Sequence, residues 1–259
     1  MTAALATDPA IRIIGLSKRF GDRIVLDDVS FEVAAGEVVA ILGASGAGKT
    51  TLFRCVTRLA QSDSGQIFLG EHAIRTLGGR QLSMARSEIG LIFQQFNLIR
   101  RLSALDNVLV GRLGEVPTWR VMLRRFPYPD RQLALAALDR VSMLPYALQR
   151  ADRLSGGQQQ RVAIARALAQ QSRFVLADEP VASLDPKIAR QVLHYLKDIS
   201  KRLGISVICN LHQIDFAREY AERIVGLSQG KLVFDGLPNA LTADILEKIY
   251  GSQVEAAVE

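Results

Sequence analysis

The sequence predicts an α/β fold with a mostly parallel sheet flanked by helices and interrupted by a helical insertion. Three observations carry that expectation. Apolar, β-branched runs bounded by glycines fill the first third of the chain. One such run passes through a glycine-rich turn, residues 43–50, into a helical stretch. From residue 171 onward, strand-like and helix-like segments alternate, the pattern of parallel strands joined by crossover helices. With 259 residues and 49% hydrophobic content, the chain can bury a large core, which excludes intrinsic disorder.

The elements follow in order. Residues 11–16, 29–33 and 37–42 read as strands, punctuated by Gly21, Gly36 and Gly43. A helix is expected over 49–58, and short strands over 67–69 and 89–93. The middle of the chain changes character. Leu133, Ala137, Leu138, Val141 and Leu144 recur at helical spacing and predict a helix over 131–143. Residues 154–170, rich in Ala, Arg, Gln and Leu, predict another. Then come a strand over 174–178, a helix over 187–203 and a strand over 205–210. The insertion therefore spans about 96–170.

Charge and cysteine usage narrow the function classes. Lys and Arg number 32 against 26 Asp and Glu, a net charge of +6. The isoelectric point of 9.6 favours an anionic partner: nucleotide, nucleic acid or membrane surface. Cys55 and Cys209 are too few for a disulfide framework, fit a reducing compartment and read as core packing. No apolar run approaches the ~18–20 residues of a membrane span. The first ten residues lack a basic segment and carry Asp8, unlike a secretory leader, so the expectation is a cytosolic chain that reaches a membrane through an embedded partner.

The strongest local pattern is Gly43-Ala44-Ser45-Gly46-Ala47-Gly48-Lys49-Thr50, a full match to G-x-x-x-x-G-K-[ST] between a strand and a helix. The glycines let backbone N–H groups turn toward phosphate oxygens, and the helix N-terminus adds its positive end. Lys49 reaches the β- and γ-phosphates, and the Thr50 hydroxyl suits Mg²⁺. The bland alternative is a glycine-rich turn with a chance lysine. A second strand, 174–177, ends in Asp178-Glu179, where ligands of open parallel sheets bind. There Asp178 suits Mg²⁺ and Glu179 suits polarising a water; a solvated strand end is the plainer reading. Ser155-Gly156-Gly157-Gln158, after Leu154, forms a second phosphate-seeking helix end, with Ser155 as N-cap. One chain rarely wraps one nucleotide with both ends. A dimer in which each chain closes the other's site is the economical arrangement; a capped helix after a loop is the alternative.

Taken together, these motifs resemble the nucleotide-binding subunit of an ABC transporter over nearly the whole chain. GASGAGKT resembles Walker A, FVLADE Walker B, and LSGGQ the family signature. The resemblance implies further roles. Phe20 matches the adenine-stacking aromatic, although aromatics before a turn are often core. Gln94 matches the Q-loop glutamine and a Mg²⁺ contact, although Gln95 follows it. Thr51 extends the phosphate loop. Ser183-Leu184-Asp185 resembles the D-loop, with Asp185 at the nucleotide. His212 resembles the switch histidine, acting with Glu179, although a lone histidine is more often packed or superficial; His72 and His194 read as structural.

The resemblance also implies an architecture and partners. The fold becomes a P-loop NTPase (RecA-like) core, residues 1–95 and 171–250, with an antiparallel β subdomain and an inserted α-helical subdomain, about 96–170. ATP and Mg²⁺ would be the cofactors. A second copy would pair head to tail, integral membrane permease subunits would be driven, and a periplasmic substrate-binding protein would act indirectly. The place is the cytoplasmic face of the inner membrane, peripherally, with no nucleic acid bound. Residues 89–102, 107–114, 210–213 and 217–221 further resemble the ATP-binding subunit of bacterial phosphonate importers. The basic stretch 112–130, with Trp119, Arg120, Arg124, Arg125 and Phe126, reads either as a permease-side surface or as a solvated loop. On this reading, the few residues after Gly251 would leave no room for the added regulatory domain of some importer ATPases, so none is expected. Two other readings stay open: an ABC ATPase for another cargo, including lipid or lipoprotein release, and a DNA-maintenance ATPase. The latter class carries long coiled-coil insertions or zinc-binding cysteines, which this chain lacks.

Overall fold

The computed structural model describes residues 10–251; the leader question raised above falls almost wholly outside them. Two sheets form the frame. β1 (Ile11–Phe20) and β2 (Arg23–Val33) make an antiparallel hairpin across a turn at Gly21, whose φ is 57°. β3 (Val38–Leu42) then crosses to the second sheet, and α1 (Lys49–Val56) follows it. β4 (Ser64–Leu69) and β5 (His72–Ala73) return to the first sheet, in the order β2-β1-β4-β5. After α2 (Gly79–Ser87), β6 (Ile89–Phe93) is the edge strand of the second sheet.

Residues 94–173 carry no strand. They hold α3 (Ala104–Leu109), α4 (Thr118–Met122), α5 (Tyr128–Arg140) and α6 (Gly156–Ala169). The chain then alternates: β7 (Phe174–Asp178), α7 (Pro186–Leu203), β8 (Ser206–Asn210), α8 (Ile214–Tyr220) and β9 (Arg223–Ser228). β10 (Lys231–Gly236) and α9 (Ala243–Tyr250) complete the described chain. The second sheet runs β10-β9-β3-β8-β7-β6, parallel except for β10.

Period-two alternation builds two cores from that sheet. Val38, Ala40 and Leu42 face one cluster with α3, α5, α6, α7 and α8, while Val39 and Ile41 face another with α1 and the antiparallel sheet. Strands buried on both faces read as continuous apolar runs, which is why β3, β7 and β8 are legible in the sequence.

Helix ends differ from expectation by a few residues, each for a local reason. α1 stops at Val56, and Arg58 takes a left-handed φ of 53°. α5 begins three residues early, because Pro129 suits a first turn, and ends at Arg140, before left-handed Ser142. Ser155 lies outside α6 as its N-cap, as its residue type predicts. Asp185 caps α7, and Gly204 ends it at φ 66°. The result places the carboxyl ends of β3, β8, β7 and β6 along one edge. The loops leaving that edge carry the phosphate loop, His212, Asp178-Glu179 and Gln94.

Candidate functional site

The loop from Gly43 to Gly48 wraps the N-terminus of α1. Gly48 sits at φ 105°, a conformation other residues resist, and a Cβ there would lie 2.7 Å from the Val25 carbonyl. A Cβ on Gly43 would meet the Leu227 carbonyl at 2.5 Å. Close packing therefore demands glycine at both ends of the loop. Beside it lies a cleft of about 490 Å³, lined by Ser45, Gly46, Ala47, Gly48, Lys49, Thr50 and Thr51, together with Arg23, Val25, Glu179 and His212.

Lys49 is 6% exposed, and its ammonium donates to the carbonyls of Gly43 at 2.6 Å and Ala44 at 3.2 Å. Burial lowers its pKa, and the nearby carboxylates of Glu179 and Asp178 oppose that shift. An anion entering the cleft would side with those carboxylates in keeping the ammonium charged.

Asp178 ends β7 next to the cleft. Its Oδ1 accepts from the Asn210 side-chain amide at 2.7 Å and from the Thr50 hydroxyl at 3.5 Å. Glu179 leaves the strand in a left-handed conformation, φ 51°, which separates its direction from that of Asp178. Its Oε1 stands 2.6 Å from Nε2 of His212. A carboxylate only accepts, so this geometry puts the proton on Nε2. Two residues from different crossover units thus share one hydrogen bond at the cleft wall.

The remaining expected residues stand elsewhere on the molecule. Phe20 is 51% exposed at the tip of the β1–β2 hairpin, with the Lys18 ammonium 5.1 Å from its ring centre. Gln94 is exposed just past the end of β6. Ser155 and Gln158 are occupied with each other: the Ser155 hydroxyl accepts from the Gln158 amide, and the Gln158 side chain accepts from the Ser155 amide. Gly157 packs on α7, where an added Cβ would lie 2.3 Å from the Ile188 methyl. The Asp185 carboxylate accepts from the amides of Lys187 and Ile188. None of these lines the cleft within one chain.

Sequence reading missed Arg23 and Val25, which enter the cleft because the hairpin folds over the phosphate loop. It also missed Asn210. Its signal was present: a polar residue ending an otherwise apolar strand beside the strand that bears Asp178.

Residues 26–182 match the ABC transporter family. The chain belongs to that family. It is 51% identical over 241 residues to the phosphonates import ATP-binding protein PhnC 1 of Rhodopseudomonas palustris, covering 93% of this chain and 89% of that protein. It is 49% identical to the hypophosphite import ATP-binding protein HtxD of Stutzerimonas stutzeri, covering 94% and 71%. Among solved structures, it resembles the ATP-binding cassette MJ0796 in a dimeric post-hydrolysis state bound to ADP and Pi. That match has TM-score 0.76 and 31% identity, covering 88% of this chain and 98% of that one. As an ABC transporter ATPase, the chain binds ATP and couples its hydrolysis to transport. No helix among the described residues is long and apolar enough to cross a membrane.

Proposed function

We propose that this chain powers the uptake of phosphonate, or a related phosphorus oxyanion, through a separate integral membrane permease. Names of relatives carrying phosphonate or hypophosphite support the cargo class. The observation that carries the ATPase reading is the Glu179–His212 hydrogen bond in the lining of the phosphate-loop cleft.

The residues divide the work as follows. The phosphate loop, Gly43 to Thr51, cradles the phosphates, and Lys49 neutralises them. Phe20 supplies a face for adenine. Glu179 takes a proton from the attacking water as the water oxygen bonds to the γ-phosphorus and the β–γ bridging oxygen leaves with ADP, and His212 orients Glu179 toward that water. Thr50, Asp178 and Gln94 offer hard oxygen ligands. The described residues contain no cluster of three His, Cys, Asp or Glu side chains, so these few oxygens would share Mg²⁺ with phosphates and water. When bound, Mg²⁺ neutralises phosphate charge and fixes its geometry.

Closure needs a second copy. Ser155, Gly156, Gly157, Gln158 and Asp185 lie outside the cleft of their own chain; in a head-to-tail pair they face the partner's phosphates. We divide the chain into a core, 1–95 and 171–250, and a helical arm, about 96–170. A second cleft of about 450 Å³ lies between β6 and the arm, with Leu91, Phe93, Gly114, Arg166 and Gln170 among its walls. A permease segment seated there would touch both parts, close to Gln94. The assembly sits peripherally at the cytoplasmic face of the inner membrane, and a periplasmic binding protein delivers the cargo.

The test uses the complex reconstituted in vesicles with its permease and binding protein. The parent should import phosphonate with ATP inside. Glu179→Gln should bind ATP, accumulate as a dimer, and hydrolyse about 10²–10⁴ times more slowly. Normal turnover in that variant would remove Glu179 from the mechanism; import of an unrelated cargo alone would refute the phosphorus reading.

A further inference from the structure

We propose that Asn210 is the positioning residue for Asp178, holding that carboxylate in the one orientation that serves a divalent cation bound with ATP. The inference rests on the MgATP reading above.

Parallel register sets Asp178 directly beside Asn210 at the carboxyl ends of β7 and β8. Asn210 is wholly buried. Its Nδ2 donates to Asp178 Oδ1 at 2.7 Å. A carboxylate has no proton to give, so the partner must be the amide nitrogen, and the direction of the side chain is fixed by chemistry. The Thr50 hydroxyl approaches the same oxygen at 3.5 Å. Two donors on Oδ1 leave Oδ2 without a protein donor among the described residues, and they stop the carboxylate from turning.

The rest of Asn210 argues against a role in stability alone. Its Oδ1 is buried and has no hydrogen-bond partner among the described residues. Orphaned buried acceptors are costly, and the preceding residues Val207, Ile208 and Cys209 pack as apolar core. An apolar side chain would suit the strand better. What the amide provides is the bond to Asp178. Mg²⁺ tolerates little departure from octahedral geometry, so a rotating carboxylate would serve it poorly. Outer groups that orient a metal's ligands commonly set its affinity.

The test uses the full chain carrying Glu179→Gln, so that nucleotide is bound and not consumed. Asn210→Leu keeps the volume and removes the donor; Asn210→Val does so with a strand-forming residue. Binding of a fluorescent ATP analogue is followed against Mg²⁺ concentration, and separately in EDTA. The Mg²⁺ needed for half-maximal effect should rise about tenfold or more in either variant, with affinity in EDTA held within about twofold. An unchanged Mg²⁺ requirement in a variant with a normal melting curve would overturn the role. Equal losses with and without Mg²⁺ would overturn it too, since Asn210 would then serve packing of the cleft. If the parent itself shows no Mg²⁺ dependence, the MgATP reading falls as well. If the parent shows it and the variants match the parent, only the assignment of Asn210 falls.

Discussion

Cys55 and Cys209 show how burial decides the chemistry of a single side chain. They are 2% and 3% exposed. Desolvation pushes the Cys55 thiol up to about 11, and burial with nearby Asp178 raises Cys209 as well. At pH 8, a thiol of that pKa is thiolate in roughly one molecule per thousand. Iodoacetamide should therefore leave both untouched in the native protein while modifying both quickly in guanidinium. Free-thiol rates at pH 8 in the native state would contradict the burial. The phosphate loop was legible in the sequence because its chemistry needs contiguous residues: eight positions carry the strand-end turn, the helix start, the lysine and the threonine. Glu179 and His212 were legible as strand-end residues, but their 2.6 Å contact was not, since it depends on the register of β7 and β8 and on the left-handed turn at Glu179. Arg23, Val25 and Asn210 were missed for the same reason, because residues brought in from other strands leave no local pattern.

The stretch between α3 and α5 illustrates what decides an element. Sequence alone left residues 112–130 as surface or loop. The structure anchors the base of this stretch: Arg112 Nε meets Asp130 Oδ1 at 2.7 Å, and Arg112 also donates to the Ala169 carbonyl and the Gln171 side chain. Both charges are nearly buried. Removing one partner from such a pair typically costs about 3–5 kcal/mol, because the other charge is stranded. Asp130→Leu should lower the melting temperature markedly and expose the bonds near Arg124 and Arg125 to trypsin. The double variant Arg112→Met, Asp130→Leu should recover much of the loss; a double variant as weak as the single one would deny the pairing. β3, β6, β7 and β8 were legible because burial on both faces makes them largely apolar; β9 (Arg223–Ser228) was not read, its short apolar run being broken by Gly226. β10 also went unread, since its side chains alternate between exposed and half-buried and, among the described strands, it pairs with β9 alone. The longer reach of β2, back to Arg23, also escaped notice, because its first half is largely exposed.

At the scale of the whole molecule, the question is whether the two halves of the site meet across copies. Lys49 lines the cleft and Ser155 does not, which is the arrangement a shared site requires. Consider a mixed dimer in a Glu179→Gln background, with Lys49→Ala on one chain and Ser155→Arg on the other. If sites form between chains, one composite site keeps both native residues and the other carries both lesions. One nucleotide should then be trapped per dimer. None trapped, with both chains folded, would return the site to a single chain. Occupancy is the better readout, since turnover can require both sites.

Strand order also has a consequence for how the protein is made. β8 lies between β3 and β7, so the strand that leads into the phosphate loop and the strand that ends at Asp178 do not pair with each other. The strand that joins them in the sheet is Ser206–Asn210, almost the last parallel strand to be synthesised. A ribosome adding about 5–20 residues per second releases the phosphate loop many seconds before that bridge exists. Until then the growing chain carries the phosphate loop, and later Asp178 and Glu179, without the strand that aligns them or the His212 that follows it. A site that joins Glu179 to His212 is therefore complete only in a chain translated past residue 212.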